Sequence, residues 1–151
     1  MKKGFTIFEA LAIVGIMGVC VAIVTFTFNK INYDKALNKS ADSVVSVLNE
    51  ARSLSLSSKD ASHYGVYIES NQITIFVGED YSPESSSNIT SPLNDRVAIR
   101  NISLNEGDSS VIFDRITGGT LNFGTFEMYL KEATTTYETI VITATGVVEK
   151  N

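Results

Sequence analysis

At 151 residues the chain has room for one membrane-length segment and one globular domain of roughly 90–120 residues, large enough to bury its own core. Its formal net charge of −5 is a poor match for nucleic-acid phosphates. The single cysteine, Cys20, excludes an intramolecular disulfide, so an exported domain has only its apolar core to hold it together.

The chain opens Lys2-Lys3-Gly4-Phe5-Thr6-Ile7-Phe8-Glu9 and runs on apolar to Phe28. Across the 24 residues from Phe5 to Phe28, Glu9 is the only charge. As an α-helix this stretch would be ~36 Å long at ~1.5 Å per residue, enough for a bilayer core of ~30 Å. It is too long for an ordinary secretory signal, and no A-x-A-like cleavage site closes it. Cys20 follows Met17-Gly18-Val19, where lipid attachment would want a small residue in place of Val19, so the cysteine reads as a small apolar residue of a helix face. Lys2 and Lys3 ahead of the run predict a cytoplasmic N-terminus and an exported remainder. One anomaly is left. An ionised carboxylate near the start of a membrane helix needs a cation or a proton, and nothing basic lies within two turns after Glu9. A cut between Gly4 and Phe5 would create an α-amino group one turn away, able to answer Glu9 or the Glu9 of a neighbouring helix.

The combination Lys-Lys-Gly-Phe-Thr-Ile-Phe-Glu followed by some twenty apolar residues resembles the leader and N-terminal helix of type IV pilins and pseudopilins. The resemblance implies that a membrane aspartyl peptidase cuts after Gly4 and methylates the new amine on Phe5. It also implies that Glu9 is the assembly glutamate. The implied partners are other pilin or pseudopilin subunits, the prepilin peptidase and an inner-membrane assembly platform. No cofactor, metal or nucleic acid is expected. The implied location is the inner membrane, single-pass, and then a periplasmic or extracellular filament. Loss of Lys2 and Lys3 with the leader would take the net charge to −7. Many members of that family carry a proline in the apolar half of the helix; here Gly15 and Gly18 are the only soft points.

Past Phe28 the helical period persists in polar surroundings. Leu37, Ala41, Val44, Leu48, Ala51 and Leu54 draw one apolar stripe, with Lys35, Lys39, Asp42, Asn49 and Arg52 between them. No proline occurs before Pro83, so the spacing predicts one helix from Phe5 to about Ser57. Its stripe requires a sheet to cover it. The expected divisions are a leader at 1–4, a transmembrane and assembly helix at 5–28, its amphipathic continuation at 29–57 and a β domain at 58–151.

From Ser57-Ser58-Lys59-Asp60 onward the period changes to two. His63–Glu69 and Gln72–Val77 flank Ser70-Asn71 as a two-residue hairpin turn. Gly78–Asp95, holding both prolines and many serines, reads as an exposed loop. Strands are predicted at Arg96–Leu104, Ser110–Asp114, Leu121–Leu130 and Tyr137–Ala144. Turns fall at Asn105-Glu106-Gly107-Asp108 and Thr117-Gly118-Gly119-Thr120, and a short end at Val147–Glu149 follows Gly146. About six strands in a run after one helix predict an α+β, pilin-like fold with antiparallel sheet. A helix running into Ala51-Arg52-Ser53-Leu54-Ser55-Leu56-Ser57, then a hairpin, a variable loop and a closing Ile142-Thr143-Ala144-Thr145-Gly146-Val147-Val148, is similar to the H-type minor pseudopilins and their pilus counterparts. Major subunits of Gram-negative type IV pili often have a C-terminal disulfide loop, which this chain cannot form.

Little points to catalysis. His63 is the only histidine, Cys20 lies in the apolar run, and no metal-protease, phosphate-loop or paired-cysteine motif occurs. His63 reads as a surface or capping residue. Glu79, Asp80, Glu84 and Asp95 are oxygen donors that could gather round calcium, but their spacing is unlike an EF-hand and suits a solvated loop. The alternative function is a membrane-anchored binding module, such as a DNA-uptake minor pilin. For that Arg96, Arg100 and Arg115 would have to cluster, and they stand scattered among carboxylates. The expected function is non-enzymatic: a structural subunit, of minor type, of a type IV pilus-like or type II secretion pseudopilus filament.

Overall fold

The computed structural model describes residues 6–107 and 109–151, with side-chain placement for these except 25–31. One helix, α1 (Ile7–Leu56), is followed by a short 3₁₀ turn (Lys59–Ala61) and eight strands. These are β1 (Tyr64–Ile68), β2 (Gln72–Val77), β3 (Ile89–Pro92), β4 (Val97–Leu104), β5 (Ser110–Phe113), β6 (Gly124–Leu130), β7 (Ala133–Ile142) and β8 (Val148–Lys150). The chain divides into two compact units, residues 1–35 and 36–151.

In the first unit, α1 begins with a capped turn. The Glu9 N–H donates to the Thr6 hydroxyl at 3.3 Å, and the Ala10 N–H to the Thr6 carbonyl at 3.2 Å. Thr-x-x-Glu is the capping-box spacing, in which the first side chain satisfies one of the amides left without a partner at a helix start. From Ile7 to Val24 the helix is exposed along its length, with a mean hydropathy of 2.6 over 18 residues. By length and composition it can cross a membrane.

In the second unit, α1 turns amphipathic. Leu37, Ala41, Val44, Leu48 and Ala51 are buried as the stripe predicts, joined by Ser40 and Val47. The stripe ends differently from expectation: Leu54 is only half-buried, and Ser55, one residue on, is fully enclosed. A 3-4-3-4 alternation keeps a residue on one helix face better than two successive steps of three, which explains the shift from 54 to 55. The helix closes without glycine; Ser58 takes the left-handed conformation (φ 51°) that more often falls to Gly past a C-terminus.

Two four-stranded antiparallel sheets cover the stripe, ordered β3-β2-β1-β5 and β4-β6-β7-β8. Period-two burial shows which face each strand turns inward. In the first sheet these are Val66, Ile68, Ile73, Ile75, Val111 and Phe113; in the second, Val97, Ile99, Phe126, Met128, Leu130, Ile140 and Ile142. Each such side chain contributes about 1.5–3 kcal/mol when fully enclosed. The β1–β2 turn is the expected Ser70-Asn71, closed by the Glu69 N–H on the Gln72 carbonyl (3.0 Å). Its carbonyls then accept from Ile99 and Leu93, stitching the hairpin tip to β4 and to the end of β3.

The structure corrects the reading of Gly78–Asp95 as loop throughout. Ile89–Pro92 is an edge strand, and Thr74 and Thr90 pair across it through their hydroxyls at 3.1 Å. Pro92 sits where only an edge strand tolerates it. The Ser-rich segment before it is anchored by Tyr81, which stacks on Tyr67 (centroids 4.0 Å apart) and meets Phe76 edge-on. Phe76 is thereby buried on the outer face of the first sheet, its ring filling the space over Gly65.

Candidate assembly site

Of the residues expected to matter most, Gly4 and Phe5 lie outside the described residues, as does the leader, residues 1–4. Glu9 is described. It stands in the first turn of α1, exposed, in no ion pair among the described residues, with apolar neighbours Ile7, Phe8, Leu11 and Ile13 also exposed. Position softens its isolation. A carboxylate in the first turn faces the positive end of the helix dipole, and the Glu9 amide is itself satisfied by Thr6. This arrangement can keep a charge in the first turn of an apolar helix and present it to a partner; it brings no second reactive group to it. The Thr6 cap was not anticipated, although Thr-x-x-Glu ahead of an apolar run was there to be read.

The carboxylates considered for calcium do not converge. Glu79, Asp80, Glu84 and Asp95 are exposed, and among the described residues no group of three His, Cys, Asp or Glu is placed to hold a metal. The arginines considered for nucleic acid are dispersed. Arg100 donates to Glu127 at 2.9 Å and lies over the Tyr129 ring, Arg115 donates to the Ser58 hydroxyl at 2.9 Å, and Arg96 precedes β4. The Arg100 guanidinium therefore already has an anionic partner. A β-bulge at Asn101 (φ 51°) turns that side chain onto Glu127 as well, at 3.0 Å.

His63 is not a helix cap. It borders a cleft of about 230 Å³ at one end of β1 and β5, with Glu79, Glu106 and Asp114 around it and Ile112 and Leu121 as apolar lining. The register that sets Tyr64 opposite Phe113 puts His63 beside Asp114. Glu106, Asp114 and the lining residue Asn122 carry no local signal in the sequence, because 27–59 residues separate them from His63–Glu79 and no pattern marks a cleft lined from four connecting segments.

The end of α1 is tied to distant parts of the domain by side-chain hydrogen bonds. Arg52 donates from Nε to the Gly118 carbonyl (3.0 Å) and from Nη2 to the Thr145 carbonyl (3.1 Å). The Ser55 hydroxyl accepts from the Tyr64 N–H (3.0 Å). Two stretches noted for their resemblance, Ala51–Ser57 and Ile142–Val148, thus meet in space. At the far end of the packed helix, Lys150 in β8 bridges Asp42 at 2.7 Å.

The sequence matches no protein-family model and no curated protein. Among solved structures the fold is similar to the type IV minor pilin FimU of Pseudomonas aeruginosa in two crystal forms. One match has 14% identity over 76% of this chain and 92% of that one with a TM-score of 0.56; the other has 13% over 78% and 90% with 0.60. It is similar also to EpsH, the minor pseudopilin of the Type 2 Secretion System of Vibrio cholerae, at 12% identity over 76% of this chain and 95% of that chain, TM-score 0.55. At these identities the likeness is one of fold: a long helix packed on antiparallel sheets, shared over most of the chain.

Proposed function

We propose that this chain is a structural subunit of minor, prepilin-like type in a type IV pilus-like or type II secretion pseudopilus filament, working by assembly and not by turnover. One observation carries the reading. A fold like that of FimU and EpsH is joined to a helix exposed from Ile7 to Val24, apolar apart from one first-turn carboxylate. In the proposed sequence of events the precursor sits in the inner membrane with its N-terminus cytoplasmic and its β domain exported. Prepilin peptidase removes residues 1–4 and methylates Phe5. Glu9 then meets the new amine of a neighbouring subunit at the assembly platform, and the apolar helices bundle. Dispersal of Arg96, Arg100 and Arg115 supports this reading over a DNA-binding module.

The test is the mass of the N-terminal peptide from chain recovered from host membranes. Methylated Phe5 as the first residue is the expected result. An intact Met1 on chain that stays monomeric in the envelope would overturn the proposal and favour a permanent anchor.

A further inference from the structure

We infer that the cleft around His63 is a socket for a lysine side chain of a second copy of this chain, and that Lys39 is the lysine it receives. The occupant is argued from the chemistry of the walls. Glu79, Glu106 and Asp114 supply three carboxylates, while Ile112 and the 70% exposed Leu121 supply apolar surface. That mixture suits a cation on a long aliphatic stem, whose methylenes lie along the apolar wall while the charged end reaches the acids. A bare metal ion suits it poorly, since no three of the described acidic or histidine side chains converge.

A second, independent feature points to a donor. Asn122 also lines the cleft, is only 4% exposed, and among the described residues its Oδ1 has no hydrogen-bond partner. Its amide nitrogen is committed to the Ser110 carbonyl at 2.9 Å, so the side chain cannot rotate to hide the oxygen without losing that bond. A buried acceptor left unpaired is costly. An ammonium carries three donors and can satisfy it together with the rim carboxylates. The oxygen is itself enclosed, so docking has to shift part of the lining.

Charge selects the copy. Beyond the first four residues, no ten-residue stretch carries more positive charge than residues 30–39, with Lys30, Lys35 and Lys39 against Asp34. Lys39 is exposed and forms no ion pair among the described residues. It lies 16 residues before Ser55, which bonds to Tyr64 next to His63, so along α1 it is about 24 Å from the cleft end of the domain. A knob at one end and a socket at the other make a head-to-tail contact, which propagates into an open filament when the rotation between copies does not close. The inference rests on the filament reading only in requiring that copies meet.

The experiment is zero-length carbodiimide coupling of the full chain in detergent micelles, mixing isotope-labelled and unlabelled copies and mapping cross-links by mass spectrometry. The expected result is mixed-label coupling of Lys39 to Glu79, Glu106 or Asp114. Lys39→Glu alone and the double change Glu79→Lys with Glu106→Lys alone each lower coupling at this contact by about five-fold or more, and mixing the two variants restores it with polarity reversed. These positions are exposed, so folding is not at stake. If copies couple through other residues while the cleft stays unlabelled, or the cleft takes a lysine other than Lys39, the socket assignment is overturned and the filament reading stands. If copies never couple anywhere, the socket assignment falls, while the filament reading is decided separately by the mass of the N-terminal peptide.

Discussion

The Ser55 hydroxyl and the Tyr64 peptide unit satisfy each other: Oγ accepts from the Tyr64 N–H at 3.0 Å and lies 3.3 Å from the Tyr64 carbonyl, to which it donates. Ser55 is completely enclosed, and this pair fixes where β1 starts relative to the end of α1. Ser55→Ala fits the space but strips the amide of its acceptor, a change worth about 1–3 kcal/mol. Urea unfolding of the full chain should show a lower midpoint at unchanged slope. An unaltered midpoint would mean that another group takes over the amide.

The same tyrosine sets an alkaline limit on stability. Burial lifts the Tyr64 phenol above its ordinary value of 10.0, and the Asp60 carboxylate that accepts its O–H at 3.3 Å lifts it further. The folded state thus holds this proton more tightly than the unfolded state. The stabilisation is complete below pH ~10 and is lost as pH rises from there through the folded value. Tyr64→Phe removes this contribution, so the stability difference between wild type and variant should shrink as pH climbs past ~10. A constant difference between pH 8 and 11 would refute the assignment.

At the junction of Arg52 with Gly118 and Gly146, close approach of backbones excludes side chains. A Cβ on Gly146 would run into the Gly118 carbonyl oxygen, at a φ of +75°. Gly146→Ala is expected to cost at least about 2 kcal/mol. Arg52→Ala, which removes two bonds to carbonyls but opens no large cavity, should cost about 1–3 kcal/mol. Thermal melts that rank the two variants in the opposite order would show that the clamp depends more on the guanidinium than on glycine.

Periodicity made α1 readable to within a residue of its end, because a stripe at helical spacing reports burial directly. The β1–β2 hairpin was readable for the same reason, with alternation on both sides of a two-residue turn. Ile89–Pro92 was not, since its burial is slight and its composition is that of a loop; it is a strand only because β2 offers it hydrogen bonds. The division into two sheets was also hidden, because alternation says which residues face inward and not which strand is the neighbour. Arg52 could be placed on the helix, but its partners are carbonyls 66 and 93 residues away, and every residue has one.

Ile116 carries strain that substitution can release. It sits at φ 71° in a three-residue turn closed by the Thr117 N–H on the Arg115 carbonyl (2.8 Å), and its side chain is 74% exposed. A β-branched residue in the left-handed region is disfavoured by about 1–2 kcal/mol, and so exposed a side chain recovers little of that by burial. Ile116→Asn keeps the turn with a residue that tolerates this conformation. It should raise stability by about 1 kcal/mol, read as a higher urea midpoint. A drop instead would mean that the isoleucine makes apolar contacts worth more than the strain.

Glu9 is the position where capping and assembly make separable predictions. The Thr6 hydroxyl bonds to the Glu9 backbone amide, not to its carboxylate, so Glu9→Gln leaves the cap intact and removes only the charge. If the carboxylate serves to answer the amine of a neighbour, Glu9→Gln and Glu9→Ala should both lower incorporation into filaments by about ten-fold or more, consistent with loss of a charge pair in an apolar setting. Membrane levels and protease resistance of the β domain should stay at wild type in both, because that domain is held together by its own buried core. If the carboxylate acts only through the helix dipole, the polar Gln variant should assemble nearly as well as wild type and only Ala should fail. Quantifying filament-associated against membrane-associated chain for the two variants side by side distinguishes these outcomes.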